Sequence, residues 1–361
     1  MVGKPRENET ENDVYLGMVP EASLYCTSLT RTGGWKAGIE WLLDSGVNVI
    51  NISQDLSSGE HYREYNDIAC WIDHIIYQHN VSVVAAVGYW NYTRDGSGKD
   101  ISPLAYSKNV IVVGGVILSE NDNAYTFSPY EDFAYSTEGL HFPHVVAPSN
   151  FGMINRSGGA CIGNSFSAPL VVGTIAQLMQ LEPSLKNNPS LIRSIIMSGA
   201  DGIKSSTQND SDGTCLDRKY GAGVLNAKRS FLCTSYYSVP KTFSTFYPDS
   251  DLRVTNLSML ITDNLEPVRL SLNWTGKSII SGDHSESTEC SSYFCSIFKL
   301  TVTSPKGEVY IAYDINDTFQ LLSFTPPGDD LGYYTVTITR TGPSGYGTKV
   351  SMSAFGCNSL S

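Results

Sequence analysis

One serine stands in a sequence context that could support nucleophilic chemistry. Ser165 lies in the stretch GGACIGNSFSAPLVVG, directly after Asn164 and two residues after Gly163. A serine at a helix N-terminus is either a cap for free backbone N–H groups or a nucleophile whose developing oxyanion those groups stabilise. A stripe of residues at helical spacing predicts that a helix begins near Ser165, formed by Phe166, Leu170, Val171, Thr174, Ile175 and Leu178.

Two local features favour the functional interpretation of Ser165. Pro169 lacks the N–H that would bond the Ser165 carbonyl in a helix, which costs stability, and such breaks of local rules are most frequent at functional sites. Gly158, Gly159 and Gly163 let the backbone approach a ligand closely on the entry side. The stretch therefore favours a nucleophilic serine, with a plain helix cap as the alternative.

The elements around this serine alternate between strand and helix from Glu21 to Cys233. Strands are predicted at ASLYC, VNVINIS, VSVVAAVG, NVIVVGGV and HVVAP, and amphipathic helices at GWKAGIEWLLDSG and YNDIACWIDHIIYQHN. Near-continuous Val/Ile strands separated by helices predict a mainly parallel sheet covered on both faces. Active-site loops are expected at the carboxyl ends of such strands.

The motif GNSFSAP resembles the nucleophile motif of subtilisin-like serine proteases, with Ser165 at the nucleophile position and Asn164 where threonine is usual. Six further segments resemble motifs of the family in the family's order and spacing, so that the resemblance covers about residues 16–232: GMVPEASLY, GIEWLLDSGVNVINIS, VVAAVG, VIVVGGV, VVAPS and YGAGVLNAKRS. The resemblance implies a subtilisin-like three-layer α/β fold and peptide-bond hydrolysis through an acyl-enzyme. It also implies an extracellular, cell-envelope or secretory location, although the N-terminus has no apolar signal-peptide region.

Ser-His-Asp chemistry needs a base and a carboxylate, and the family places both before the GMVPEASLY strand, in Asp-Ser/Thr-Gly and His-Gly-Thr motifs. The residues before Gly17 contain neither motif and no histidine. The resemblance puts the aspartate strand between the ASLY and VINIS strands, so its absence would leave two strand edges unpaired. None of the six histidines elsewhere has a pairing motif, namely His61, His74, His79, His141, His144 and His284. We therefore expect the chain as written to be inactive.

Three interpretations of the missing motifs remain open. The chain is an N-terminally incomplete form of an active protease, or a pseudoprotease that serves as a binding or scaffold protein. The third is an unrelated acyl hydrolase that uses Ser165 with a different base.

The resemblance also assigns the remaining site residues. The family usually has Gly-Asn in its oxyanion loop, whereas this chain has Gly88 followed by Tyr89, so Tyr89 is either an oxyanion donor or an ordinary packed aromatic. Ser53 and Gly88 match the strand ends that form the primary specificity pocket and pair with an extended peptide. Asp55 either lines that pocket or is solvated. A polypeptide substrate or a protein partner is expected.

Composition excludes other partners. The chain has 24 Lys plus Arg against 36 Asp plus Glu, a formal charge of −12, and no basic cluster, which argues against nucleic acid. Its apolar runs are far shorter than the ~18 residues of a membrane span. The eight cysteines include no C-x2-C pair, so we expect no zinc site and no cofactor, while their even number fits an oxidising compartment.

The pattern of apolar residues changes after about residue 233. Alternation with a period of two, between turns rich in Pro and Gly, replaces the helical patterns. We predict a peptidase domain over residues 1–233, without the N-terminal Asp and His segments, and a jelly-roll-like β-sandwich over residues 234–361. The second part resembles the small sandwich appended to many secreted subtilases. Phe298, Lys299 and Leu300 stand where an acidic pair is common, so a structural calcium there is not supported. This domain is either a stability appendage or a docking module.

Overall fold

The computed structural model describes residues 17–28, 34–54, 56, 64–89, 100–118, 125–127, 139–154, 160–202, 216–217, 219–234, 243–246, 254–281, 289–294, 296–342, 348 and 350–361. The first sixteen residues, residues 158–159, Asp55, His61 and His284 lie outside this set, as does the side chain of Tyr89. The sequence predictions for these positions stay predictions.

Five α-helices are present in the described part of the chain, and the predicted helices are confirmed. They are α1 (Gly34–Asp44), α2 (Asp67–His79), α3 (Asn164–Leu181), α4 (Pro189–Gly199) and α5 (Ala227–Thr234), with short 3-10 helices at Pro103–Tyr106 and Pro183–Leu185. Helix α2 begins at the Asn66 cap, whose side chain accepts the N–H of Ala69, and ends at Asn80 in the left-handed conformation. Asn188 caps α4 in the same manner, with Pro189 in its first turn.

The strands of the first part form one five-stranded sheet and two small hairpins. They are β1 (Val49–Ile52), β2 (Ser82–Ala86), β3 (Gly88–Tyr89), β4 (Asp100–Ile101), β5 (Ile111–Leu118), β6 (Tyr125–Phe127), β7 (Val145–Pro148), β8 (Asn150–Ile154) and β9 (Ala160–Ile162). In the main sheet β1, β2, β5 and β7 run parallel in that order, and β6 pairs antiparallel with the end of β5. The strands β3 and β4 pair with each other, as do β8 and β9.

This sheet is covered on both faces, which confirms the predicted three-layer architecture. Alternate residues of a strand point to opposite faces, so Val84 and Ala86 of β2 pack with α3 and α4. Val83 and Ala85 of the same strand pack with α1 and α2 on the other face. Because both faces are buried, β2 reads as the continuous apolar run seen in the sequence.

The prediction of a strand at ASLYC is wrong. Residues 23–28 form no strand and are exposed, with Leu24 60% and Tyr25 45% accessible. A strand needs a neighbour for its backbone hydrogen bonds, and in the described residues β1 pairs only with β2. The ASLYC segment therefore has the alternating pattern of a half-buried strand, but no described strand lies beside it to pair with its backbone.

Antiparallel strands form the second part, as predicted. They are β10 (Phe243–Phe246), β11 (Val254–Ile261), β12 (Val268–Trp274), β13 (Lys277–Ser281), β14 (Glu289–Phe294), β15 (Phe298–Thr303), β16 (Val309–Ala312), β17 (Phe319–Phe324), β18 (Gly332–Arg340), β19 (Val350–Phe355) and β20 (Ser359–Leu360). One sheet has the order β10-β19-β12-β17 and the other β16-β15-β18-β11-β20, and their inner faces share one apolar core. The hairpin of β13 and β14 lies apart from both sheets and contacts α2.

No helix in the described part of the chain is long and apolar enough to cross a bilayer.

Candidate active site

Helix α3 carries Ser165 at the edge of the sheet where the parallel strands end. Ser165 is the second residue of α3, and the cap residue Gly163 has φ of 153°, a conformation that favours glycine. The Gly163 N–H donates to the carbonyl of Ser149, just after β7, at 3.1 Å. In the first turn, Ser167 Oγ donates to the Ala147 carbonyl of β7 at 2.9 Å. The start of α3 is thereby fixed to the carboxyl end of β7.

The hydroxyl of Ser165 lies beside Ser53, the residue that follows β1. Ser165 Oγ donates to the Ser53 carbonyl oxygen at 3.2 Å, although the two residues are 112 positions apart in the chain. The structure therefore brings together the predicted nucleophile and one predicted wall of the substrate pocket.

Gly88 lies in the same region, at the end of β2. The Asn164 amide nitrogen Nδ2 donates to the Gly88 carbonyl oxygen, while Asn164 Oδ1 is buried without a donor. A buried acceptor without a partner costs about 1–3 kcal/mol, a cost that proteins keep mainly where another function needs the residue. Tyr89 follows Gly88 in β3, where its backbone pairs with Asp100. The sequence did not predict the contact between Asn164 and Gly88. It showed only that asparagine stands at position 164, where the family usually has threonine.

The arrangement meets one of the two requirements of acyl transfer, which is stabilisation of the oxyanion. The N-terminal end of an 18-residue helix carries positive partial charge and projects backbone N–H groups toward the space around Ser165. Such groups stabilise an oxyanion that forms on a substrate carbonyl. The chemistry still requires a base that takes the proton from Ser165 Oγ.

Three of the described histidines have partners in other parts of the fold. His74 Nδ1 lies 3.1 Å from the Ser278 carbonyl of the β13 hairpin, and His141 Nδ1 lies 2.7 Å from Asp317 Oδ2. His144 is buried under Phe319, and its Nδ1 accepts the N–H of Val112 at 3.1 Å. Burial lowers the pKa of His144 well below its usual value, with a further lowering from the charge of Arg193. His79 is exposed at the end of α2.

A groove of about 1120 Å³ runs along the outer edge of β1 and reaches Ser53 and Gln54 beside the serine. Residues 18–27 form its far wall, and Gln177 of α3 holds that wall by donating to the Met18 carbonyl at 2.8 Å. Among the described residues, no strand pairs with the outer edge of β1. Strand edges of this kind accept an added extended segment. Apolar side chains line the groove, including Val19, Leu24, Ile50, Ile52, Val172 and Met179.

Comparison with known proteins gives one family. The model of the subtilase family, Peptidase_S8, matches residues 5–223, which is more than half of the chain. Subtilisin DY of Bacillus licheniformis is 27% identical over 221 residues, which cover 59% of this chain and 69% of the relative. Alkaline elastase YaB of Bacillus sp. (strain YaB) is 25% identical over 220 residues, which cover 59% of this chain and 49% of the relative. The chain thus spans about half the length of the second relative.

Two solved structures are similar at low identity. Prenylagaramide maturation protease PagA is 19% identical with a TM-score of 0.41, and the match covers 62% of this chain and 78% of that one. Fervidolysin from Fervidobacterium pennivorans, described as a keratinolytic enzyme related to subtilisin, is 18% identical with a TM-score of 0.39, and the match covers 82% of this chain and 44% of that one.

Proposed function

Because this chain belongs to the subtilase family, we propose that Ser165 is the nucleophile of a serine-type endopeptidase site. The proposal is supported above all by one observation, the position of Ser165 Oγ at the N-terminus of α3, 3.2 Å from the Ser53 carbonyl at the end of β1. That edge of a mainly parallel sheet is where such folds bind their ligands.

In the proposed reaction Ser165 Oγ attacks a peptide carbonyl carbon. The Oγ–H proton passes to a base as the O–C bond forms, and the oxyanion is stabilised by N–H groups at the start of α3, with Tyr89 as a further proposed donor. The amine leaves with the proton returned by the base, and water then hydrolyses the acyl-enzyme. The extended polypeptide substrate would pair with the backbone near Ser53 and Gly88.

We further propose that the 361-residue chain by itself does not complete this cycle. The described histidines His74, His141 and His144 have partners in other parts of the fold, away from the Ser53 carbonyl to which the Ser165 hydroxyl donates. The groove along β1 has the place and length for an added strand. A parallel strand there would end beside Ser53 and Ser165, where a carboxylate and a base are needed.

A pseudoprotease that binds peptides is the second candidate. It is favoured by two hydrogen bonds within the site. The Asn164 side chain donates to the Gly88 carbonyl, and the Ser165 hydroxyl donates to the Ser53 carbonyl. A binding site tolerates such bonds, whereas a catalytic cycle must break the second one at every turnover.

The compartment we propose is extracellular or secretory. Cys70 of α2 is in a disulfide, and disulfides persist mainly in oxidising compartments.

Complementation distinguishes the two candidates. The chain is co-expressed with a subtilase segment that carries the Asp-Ser/Thr-Gly and His-Gly-Thr motifs, and hydrolysis of a fluorogenic protein substrate is measured. We expect hydrolysis in the complemented sample, and its loss by at least about 10³-fold in Ser165→Ala, given the size of nucleophile effects in this chemistry. A segment that co-purifies with the chain without any hydrolysis would favour the binding protein. The coding DNA upstream of Met1 offers an independent check, since an in-frame stretch with both motifs supports the protease.

A further inference from the structure

A second cluster of reactive side chains lies where the α/β part meets the sandwich. His141 precedes β7, and Asp314 and Asp317 lie in the turn between β16 and β17. His141 Nδ1 is 2.7 Å from Asp317 Oδ2 and 3.8 Å from Asp314 Oδ2, and one ligand atom of each residue lies within 4.8 Å of the others. The two aspartates come from a part of the chain more than 170 residues away from the histidine.

The cluster places two buried carboxyl groups beside one imidazole. Asp314 is 9% and Asp317 is 5% exposed, and in the described residues His141 is the only basic group that pairs with either. Burial raises the pKa of Asp317, the contacts with His141 lower it, and the charge of Asp314 raises it. Two buried carboxylates with one imidazole are costly unless further positive charge compensates them.

Among the described residues, no hydrogen-bond donor lies within bonding distance of Asp314 Oδ2. The Nδ1 atom of His141 can donate at most one proton, its near neighbour is Asp317 Oδ2 at 2.7 Å, and 3.8 Å is too long for a bond to Asp314 Oδ2. The side chain of Asp314 is nevertheless nine-tenths buried. Asp314 Oδ2 therefore faces the ligand atoms of His141 and Asp317 without a hydrogen-bond donor from the described part of the chain.

The rest of the turn holds the two aspartates in place. Asp314 Oδ1 accepts the N–H groups of Asn316 at 2.6 Å and Asp317 at 3.1 Å. The buried Gln320 accepts the N–H of Asp314 at 2.9 Å and donates to its carbonyl at 2.7 Å. A carboxylate with one oxygen fixed by the backbone and the other free is the usual state of a metal ligand supported by its surroundings.

We propose that His141 Nδ1, Asp314 Oδ2 and Asp317 Oδ2 bind one divalent cation that joins the α/β part to the sandwich. One nitrogen and two carboxylate oxygens form a mixed donor set that suits Zn²⁺ and related ions better than Ca²⁺ or Mg²⁺, which prefer oxygen alone. Binding replaces the proton between His141 and Asp317, so that proton is released to solvent. Three protein ligands leave the fourth tetrahedral position for water. The sequence predicted no metal site, because spacing in the chain does not reveal ligands contributed by two separate parts of the fold.

Zinc binding tests the proposal directly. The 361-residue chain is prepared with Cys26→Ser, which removes an exposed free thiol that would bind zinc adventitiously, and is treated with a chelator. Zn²⁺ binding is then measured by competition with a chromophoric chelator, and Tm is measured with and without Zn²⁺. We expect one Zn²⁺ per chain and a higher Tm in its presence.

The test depends on matched carboxylate variants. Asp314→Asn keeps the oxygen that accepts the two backbone N–H groups and removes the charge, so the turn should fold. We expect it to weaken Zn²⁺ binding by at least about tenfold, since even groups that only support a metal ligand change affinity by ~10–100-fold. Asp329→Asn is the control, because Asp329 is exposed and pairs only with Lys306 among the described residues. The proposal is overturned if Asp314→Asn and Asp329→Asn bind Zn²⁺ as the parent does, or if the parent binds none, in which case the cluster is an ion pair only.

Discussion

His144 shows how a single buried side chain links this fold to pH. Its ring lies 5.0 Å from the ring of Phe319, measured between centroids, and its Nδ1 accepts a backbone N–H. Burial disfavours the charged imidazolium and holds the pKa well below the usual value. In the unfolded chain the same imidazole takes up a proton below about pH 6.5. Unfolding therefore binds a proton in acid, and the free energy of unfolding falls as the pH drops below about 6.5.

We predict that His144→Gln removes part of this pH dependence. The free energy of unfolding, from urea titrations, should be lower in the variant at pH 7.5, and the difference from the parent should shrink toward pH 5. The slope due to His144 is about 1.4 kcal/mol per pH unit over the range between its folded and unfolded pKa values. A difference between His144→Gln and the parent that stays constant over this pH range would contradict the buried neutral imidazole.

Residue chemistry was only partly predictable from the sequence. The motif around Ser165 and the strand ends at Ser53 and Gly88 indicated residues that the structure places together, because the carboxyl ends of parallel strands meet at one edge. The partners of His141 and His144 were not predictable. Both histidines flank a short strand in the sequence, and nothing local shows that one faces a carboxylate pair and the other the interior.

At the scale of elements, α4 is the main contact between the two parts of the chain. Arg193, only 1% exposed, donates to the Asn273 side chain at 2.7 Å and to the carbonyls of Lys108 at 2.6 Å and Thr318 at 2.8 Å. Ser190 and Ser198 lie 2.8 Å and 2.9 Å from the hydroxyls of Ser351 and Ser353 on β19, measured between oxygens. A buried polar layer of this kind is costly unless its members are paired, and here the partners come from both parts.

Two helix glycines give a matched test of this packing. A Cβ added at Gly199, the last residue of α4, would lie 2.7 Å from the backbone nitrogen and 2.8 Å from the Cα of Ser230 in α5. At Gly173 in α3 the nearest atoms are those of the flexible Met18 side chain, at 2.9–3.3 Å. Backbone atoms cannot move aside as a methionine can. We predict that Gly199→Ala lowers the free energy of unfolding by about 1–3 kcal/mol, the usual cost of overpacking.

Gly173→Ala should be close to neutral, because the gain in helix propensity of up to about 1 kcal/mol offsets the shift of Met18. Both variants are compared by urea unfolding at one pH. A Gly199→Ala variant as stable as the parent would contradict the close contact between α4 and α5.

The pattern of apolar residues predicted most strands and helices. It did not reveal that both faces of β12 are buried, and it predicted a strand at ASLYC that is absent, and both failures have physical causes. Period-two alternation predicted the strands that follow residue 233, but it shows only which side chains face the sandwich core. That the other face of β12, with Ser271 and Asn273, would be buried against α4 depends on the tertiary fold. The ASLYC segment failed for the opposite reason, since it has the composition of a strand and lacks a described neighbour to pair with.

At the scale of the whole molecule, we propose that the α/β part and the β-sandwich meet at residues 233 and 234. In this proposal the boundary marks a change of architecture, and the two parts are not independent units. Phe319 and Leu321 of β17 belong to the apolar core that also contains α3, α4 and one face of the parallel sheet. The hairpin of β13 and β14 reaches back to α2, where Ser278 Oγ donates to the Cys70 carbonyl at 3.0 Å. The second part of the chain therefore packs against α2 and α4 and shares an apolar core with α3, the helix that carries Ser165.

Whether Ser165 can react depends on groups that other parts of the molecule place beside it. One wall of the groove along β1 is the segment 18–27, and the other is the strand β1, which leads to Ser53. A nucleophile needs its hydroxyl polarised by a base at hydrogen-bond distance. We propose that Ser165 keeps the family's nucleophile position and that this chain, tested alone, does not activate it.

The most direct test is covalent labelling of the purified 361-residue chain with a fluorophosphonate probe, which reacts only with activated serines. Mass spectrometry of the peptide that contains Ser165 reports the modified fraction, with an active subtilisin as the positive control and Ser165→Ala as the negative control. We predict that labelling of the chain alone does not exceed that of Ser165→Ala. Near-complete labelling that Ser165→Ala abolishes would show that the chain already contains an activating base, and would contradict the account.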